Sequence, residues 1–90
     1  MINEILRKNQ FKKDVKRIIK QGKNLNDLEN VLSMLIEGET VPDRYKDHSL
    51  TGDYNEFREL HLKPDWLLVY KIEGKTLILV RTGPHPELFG

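Results

Sequence analysis

The chain has 90 residues, 38% hydrophobic and 32% charged, with a formal net charge of +1 and no cysteine. That size suits one domain spanning residues 1–90, which hides roughly 60% of its unfolded surface and leaves no room for a large internal cavity. Disulfides, thiolate metal sites and cysteine nucleophiles are excluded; no apolar run approaches the ~20 residues of a membrane span, and residues 1–9 lack a signal-peptide core, so the expected compartment is the cytoplasm.

Residues 2–7 read as a short strand. Phe11, Val15, Ile18 and Ile19 then recur on one helical face, with lysines and arginines around the rest. Asn9 is the candidate cap and Gly22 the left-handed stop. Leu25, Leu28, Val31, Leu32, Leu35 and Ile36 form the stripe of a second helix, which Gly38 ends. Asn24 or Asn26 caps it, and Asn26 with Glu29 resembles a capping box. The short connection makes the two helices an antiparallel pair.

Over residues 39–52 the periodicity vanishes, and Pro42, Asp43, Asp47, Ser49 and Gly52 mark a loop. Three strand-like runs follow at 54–62, 66–72 and 76–82. Lys63-Pro64-Asp65 and Glu73-Gly74 separate them at hairpin length. The run 66–70 carries no charge and is the expected central strand. The proline-rich tail, 83–90, cannot continue the sheet as a regular strand. The predicted fold is α+β in the order β-α-α-β-β-β. A two-helix hairpin packs on one face of a mainly antiparallel four-stranded sheet.

Two-residue loops at Pro64-Asp65 and Glu73-Gly74 pair Lys63 with Trp66, His61 with Leu68, Ile72 with Lys75, Leu68 with Leu79 and Trp66 with Arg81. One face then carries Phe57, Glu59, His61, Trp66, Leu68, Tyr70, Leu77, Leu79 and Arg81. The other carries Leu60, Leu62, Leu67, Val69, Ile78 and Val80, and is the face expected beneath the helices. A one-residue slip in either hairpin undoes this grouping.

Charge is unevenly spread. Residues 1–24 carry eight Lys/Arg against two acids, and residues 25–90 carry seven against twelve. Lys12, Lys13 and Lys16 on the first helix are candidates for following a polyanion such as RNA; the plain alternative is a solvated face.

The histidines are His48, His61 and His85. The register gathers His61, Asp65, Trp66 and Arg81 at one end of the sheet, and the tail can bring His85 there. His48 joins only if its loop folds back. Such a set suits phosphoryl transfer. Imidazole, with an unperturbed pKa of ~6.5, exchanges a proton near neutrality, and an arginine fork meets phosphate charge in the transition state. Trp66 and Phe89 offer faces for an unpaired base. RNA brings its own nucleophile, the 2′-hydroxyl, so cleavage needs only a base, an acid and a cation. The plainer readings are surface histidines, packing aromatics, and an Arg81 paired with Glu59 or Asp65. No two histidines have chelate spacing, so no metal or other cofactor is expected.

Three segments resemble a known family. They are His48-x-Leu50-x-Gly52, Phe57-Arg58-Glu59-x-His61-x-x-Pro64-Asp65-Trp66-x-Leu68-x-Tyr70, and Arg81-Thr82-Gly83-x-His85-x-x-Leu88-Phe89. They are similar to the YafQ branch of the RelE toxin superfamily, toxins of bacterial type II toxin–antitoxin pairs, and element order agrees over nearly the whole chain. The resemblance implies a RelE-like fold and an endoribonuclease that cuts mRNA in the A site of a translating ribosome. It also implies neutralisation by a cognate, DinJ-like antitoxin. Family active-site positions carry over onto His48, His61, Asp65, Trp66, Arg81, His85 and Phe89.

On this reading His85 is the general acid and Arg81 stabilises the phosphoryl oxygens. The base is His48 or His61, with Asp65 orienting an imidazole or acting itself. Trp66 and Phe89 shape the nucleotide pocket. One departure is that Pro84 and Pro86 flank His85, where relatives commonly carry small or polar residues. The prolines restrict the backbone on both sides, either stiffening a productive loop or holding His85 away, and they remove a hydroxyl. The alternative function is a RelE-fold binder that grips a protein such as gyrase; the acid–base groups disfavour it. A third reading is an inactive member kept for antitoxin binding.

Overall fold

A computed structural model describes residues 1–52 and 56–88 and the backbone of Phe89. Strand β1 (Glu4–Arg7) leads into α1 (Asn9–Lys20) and α2 (Asn26–Glu37). A 3-10 turn (Asp43–Tyr45) and a short β2 (His48–Ser49) precede β3 (Arg58–Lys63), β4 (Trp66–Glu73), β5 (Thr76–Gly83) and α3 (His85–Phe89). The expected strand start at Tyr54 lies outside the described residues.

Among the described residues the sheet has five strands, ordered β1-β5-β4-β3-β2. β1 runs parallel to β5, and the other pairs are antiparallel. The α+β class stands, but the four-stranded sheet is corrected. β2 is only two residues long, too short to show a period, and within the tail His85–Phe89 form a short helix.

Helix termini follow local chemistry. Gly22 turns left-handed after α1 (φ 75°), and its N–H donates to the Ile19 carbonyl at 2.9 Å. Asn9 is not the cap. Extended Lys8 holds that position, with no side-chain capping bond. Asn24 Oδ1 accepts the Asn26 N–H at 2.7 Å at the start of α2, and left-handed Gly38 ends it.

The helices bury Phe11, Ile18, Leu28, Val31 and Leu35 against Leu60, Leu62, Trp66, Leu68, Tyr70, Leu77 and Leu79. That face differs from the expected one because both hairpins are irregular. Lys63 pairs with Trp66 as read, but His61 then pairs with Leu67, leaving Leu62 as the extra residue of a bulge. One extra residue reverses every side chain beyond it, so Leu60 joins Leu68 beneath the helices. The second turn is Gly74-Lys75, with Glu73 opposite Thr76. Gly74, at φ 61°, supplies the positive φ that the first position of a II′ hairpin turn requires. A second irregularity leaves Val80 unpaired between Leu79, opposite Tyr70, and Arg81, opposite Val69. The face away from the helices therefore carries Glu59, His61, Leu67 and Val69. Leu67 and Val69 are themselves buried, so polar groups there stand on an apolar floor.

Candidate active site

Pairing sets the polar groups in rows. His48 lies opposite Glu59, Glu59 opposite Val69, and Val69 opposite Arg81. The next row is His61, Leu67 and Gly83. His85 is exposed, two residues past Gly83, at the first position of α3. Directly opposed residues of an antiparallel pair share a face, which brings His48, Glu59 and His61 together. The loop before β3 does fold back, since β2 pairs with β3.

Glu59 sits between two imidazoles. Its Oε1 is 3.7 Å from His48 Nε2 and 3.5 Å from His61 Nε2, and the carboxylate is 9% exposed. The two rings lie 6.4 Å apart at 29°. His48 Nδ1 is 2.6 Å from the Lys46 carbonyl. A carbonyl only accepts, so Nδ1 carries the proton and Nε2 faces Glu59. Lys46 holds a left-handed backbone (φ 52°), uncommon for a residue with a Cβ. The neighbouring Asp47 accepts from Tyr70 Oη at 2.8 Å and Arg58 Nε at 3.2 Å. Arg58 also donates to Ser49 Oγ at 2.9 Å. Burial, then the Asp47 contact, pushes the Tyr70 phenol upward, so it stays a donor. This mesh fixes the segment that carries His48.

Arg81 is fixed from the other side. β1 ends opposite Leu79, and α1 takes up the rest of β5's outer edge. Asp14, with 0% exposure, accepts Arg81 Nε at 2.8 Å, Arg81 Nη2 at 3.2 Å and the Thr82 N–H at 3.1 Å. Gln10 Nε2 adds a bond at 3.3 Å, and Arg17 Nη2 lies 3.2 Å away. Burial alone would raise the carboxyl's pKa. The Arg81, Thr82 and Gln10 hydrogen bonds and the Arg81 charge outweigh that and hold it below its usual value. Arg17 also reaches Glu87 of α3 at 2.9 Å. A Cβ on Gly83 would meet Arg17 Nη2 at 3.1 Å, at a φ of 150° that side chains rarely adopt. The φ is what favours glycine at this position.

The remaining expected residues are dispersed. Trp66 is 4% exposed, and its Nε1–H donates to Thr82 Oγ1 at 2.8 Å, which in turn donates to the Leu67 carbonyl. Its ring is part of the core in this conformation. Asp65 lies in the β3–β4 turn and lines a separate groove with Lys23, Asn24, Lys63 and Trp66. Phe89's side chain lies outside the described residues. Lys12, Lys13 and Lys16 are exposed on α1.

Sequence reasoning missed Asp14 and Glu59 as site residues. Asp14 falls at helical spacing among Phe11, Val15 and Ile18, on the buried face, and that was the available signal. Glu59 shares strand parity with His61, two residues away.

The fold and this gathering of acid–base and cationic groups define a class, the small toxins of bacterial type II toxin–antitoxin systems. The family model described as "Bacterial toxin of type II toxin-antitoxin system, YafQ" matches residues 3–90, and the chain belongs to that family. The mRNA interferase toxin YafQ of Escherichia coli K12 is 43% identical over 82 residues, 90% of this chain and 89% of that protein. The structure is similar to the toxin in the E. coli DinJ–YafQ toxin–antitoxin complex, with a TM-score of 0.92 at 40% identity over 100% of both chains. It is also similar to a copper-bound mutant toxin from Helicobacter pylori, with a TM-score of 0.94 at 37% identity over 99% of this chain and 100% of that one. Among the described residues no helix is long and apolar enough to cross a membrane.

Proposed function

We propose that the protein is an endoribonuclease that cuts mRNA in the ribosomal A site, without a metal, and is neutralised by a DinJ-like antitoxin in the cytoplasm. The observation that carries this reading is the pair of imidazoles on one Glu59 oxygen, in the same sheet rows as Arg81 and the approach to His85.

His61 is the base. Both nitrogens of His48 face framework groups, Lys46 and Glu59, whereas His61 meets Glu59 through Nε2 and keeps Nδ1 for substrate. His61 takes the 2′-hydroxyl proton as that oxygen forms a bond to the adjacent phosphorus. Glu59 stabilises the imidazolium that results, as an orienting carboxylate does in a catalytic triad. The bond from phosphorus to the 5′-oxygen breaks, and His85 protonates the leaving oxygen. The products are a 2′,3′-cyclic phosphate and a 5′-hydroxyl end. Arg81, gripped by Asp14 along its Nε and Nη2 edge, keeps its remaining N–H groups for the phosphoryl oxygens. Lys12, Lys13 and Lys16 hold mRNA or rRNA phosphates.

Proton transfers and one cation balance this reaction. Copper is bound in an H. pylori relative, so the metal-free step has a direct test. Protein stripped with EDTA and then desalted should cut message on ribosomes as well as untreated protein does; a stoichiometric metal whose removal abolishes cleavage would overturn that part. The central experiment maps mRNA 5′ ends after induction. New 5′-hydroxyl ends within coding sequence are expected. Intact message with blocked gyrase would replace this reading with the protein-binding one.

A further inference from the structure

A second anion-binding groove adjoins His61. β2 pairs with β3 only at Arg58 and Glu59, so the outer edge of β3 from His61 to Lys63 is not covered by that strand. The 3-10 turn and the start of α2 stand off from this edge and leave a groove of about 330 Å³. Its cations are Arg44, Lys46 and Lys63, and its acid is Asp27. Lys63 Nζ contacts Asp27 at 2.8 Å, so the groove carries a surplus of two positive charges (three cations less one acid).

Two of the cations, Arg44 and Lys63, are held by contacts. The Arg44 guanidinium lies 4.7 Å over the Tyr45 ring, and its Nη2 donates to Tyr45 Oη at 3.0 Å. Tyr45 is itself buried in the core, which gives Arg44 a fixed base. Stacked arginine keeps donors for an anion. Lys46 is pinned by its left-handed backbone, whose carbonyl holds His48.

We propose that this groove binds the RNA backbone next to the scissile bond, as a flanking-phosphate subsite made by Arg44, Lys46 and Lys63. The inference rests on the endoribonuclease reading. His61 forms one wall of the groove and, on that reading, touches the 2′-hydroxyl of the cut nucleotide. A strand that presents its reacting sugar to His61 and continues along the β3 edge places its next phosphates among these cations. Phosphodiester, with one negative charge per nucleotide, matches the surplus.

The test uses the whole protein and a mixed-sequence twelve-nucleotide RNA with 2′-O-methyl groups throughout. It lacks the attacking hydroxyl and so binds without being cut. Binding is measured against salt for wild type, for Arg44→Gln/Lys63→Gln and for Lys75→Gln, whose exposed side chain lies at the opposite end of the sheet. The double variant is expected to bind about tenfold more weakly, with its log–log salt slope flatter by about 0.7 for each phosphate it no longer neutralises; Lys75→Gln keeps the wild-type slope. Melting curves of the double variant control for folding. An unchanged slope and affinity in the folded double variant overturns the subsite. So does unchanged RNA binding with weakened antitoxin binding, which would make the groove a protein-docking surface. Wild-type protein is assayed alongside on unmodified message carried by translating ribosomes. Cleavage there with an unchanged slope removes only the subsite, whereas failure to cleave removes the endoribonuclease reading itself.

Discussion

The two halves of the site are built in opposite ways. The Arg81 half is anchored in the interior, where a fully buried carboxylate from α1 gathers two arginines, an amide side chain and a strand N–H. The His48 half stands on a two-residue strand beside a left-handed lysine, with both imidazoles partly exposed. Glu59, the Lys46 carbonyl and the Asp47 mesh steady it. On the proposed mechanism the group that meets phosphate charge is held rigidly, while the groups that pass protons to and from solvent are left accessible. Preorganised dipoles act without reorganising during reaction, whereas an acid or base has to exchange its proton afterwards.

The sharpest contrast is between removing Arg81 and removing His85. Each alanine variant should lose roughly 10²–10³ in cleavage rate, measured with saturating message. Arg81→Ala should also lower stability, because Asp14 keeps its burial and loses its two-point partner. Exposed His85→Ala should leave the denaturation midpoint near wild type. Equal stability in the two variants would show that the Asp14 anchor matters little.

Next in size is Glu59→Gln, expected to slow cleavage on the order of tenfold to a hundredfold. The loss should fall on the rate at saturating message, with the denaturation midpoint near wild type. An unchanged rate would reduce Glu59 to a packing group.

Asp14→Asn probes the buried half. It should cost about 1–3 kcal/mol at pH 7, the range for leaving buried hydrogen-bond partners poorly satisfied. The folded-state pKa of Asp14 lies below its usual 3.8. Its charge therefore contributes stability above pH 3.8, and that contribution is lost as the pH falls through the lower folded value. The gap between wild type and Asp14→Asn in urea midpoint should narrow below that pH. A constant gap would mean the charge is not what stabilises.

The smallest effect belongs to α1's outer face. Replacing Lys12, Lys13 and Lys16 by Gln should flatten the salt dependence of ribosome binding by about 0.7–0.9 for each phosphate left without its cation, with little change at saturation. Normal ribosome binding with weakened antitoxin binding would reassign that face to the partner.

Much of this was legible in the sequence because it is local. Helical spacing from Phe11 and from Leu28, the stops at Gly22 and Gly38, and the hairpin separators all act within a few residues. The parallel β1–β5 pair was not legible, since it joins Glu4 to Thr76 and leaves no local signal. The covered face of the sheet was misread because a bulge at Leu62 changes parity without changing composition. His48, His61, Arg81 and His85 stood out by chemistry and motif. Asp14 did not, because a lone acid on a basic helix reads as solvated until its partner, 67 residues away, is in view. Trp66 is ambiguous from sequence, since an indole fits a core as readily as a base-binding pocket.

The Asp14–Thr82 bond has a consequence for how the sheet opens. Where β1 stops, a side chain does the work of a neighbouring strand, so one ladder position along β5 is tied to a group that titrates. Protection of the Thr82 amide against deuterium exchange should then follow the ionisation of Asp14 in acid, while Leu79 and the rest of the β1-backed segment keep theirs. Local opening would begin there, at the strand end that carries Arg81 and leads to His85, so acid would disarm the protein before unfolding it.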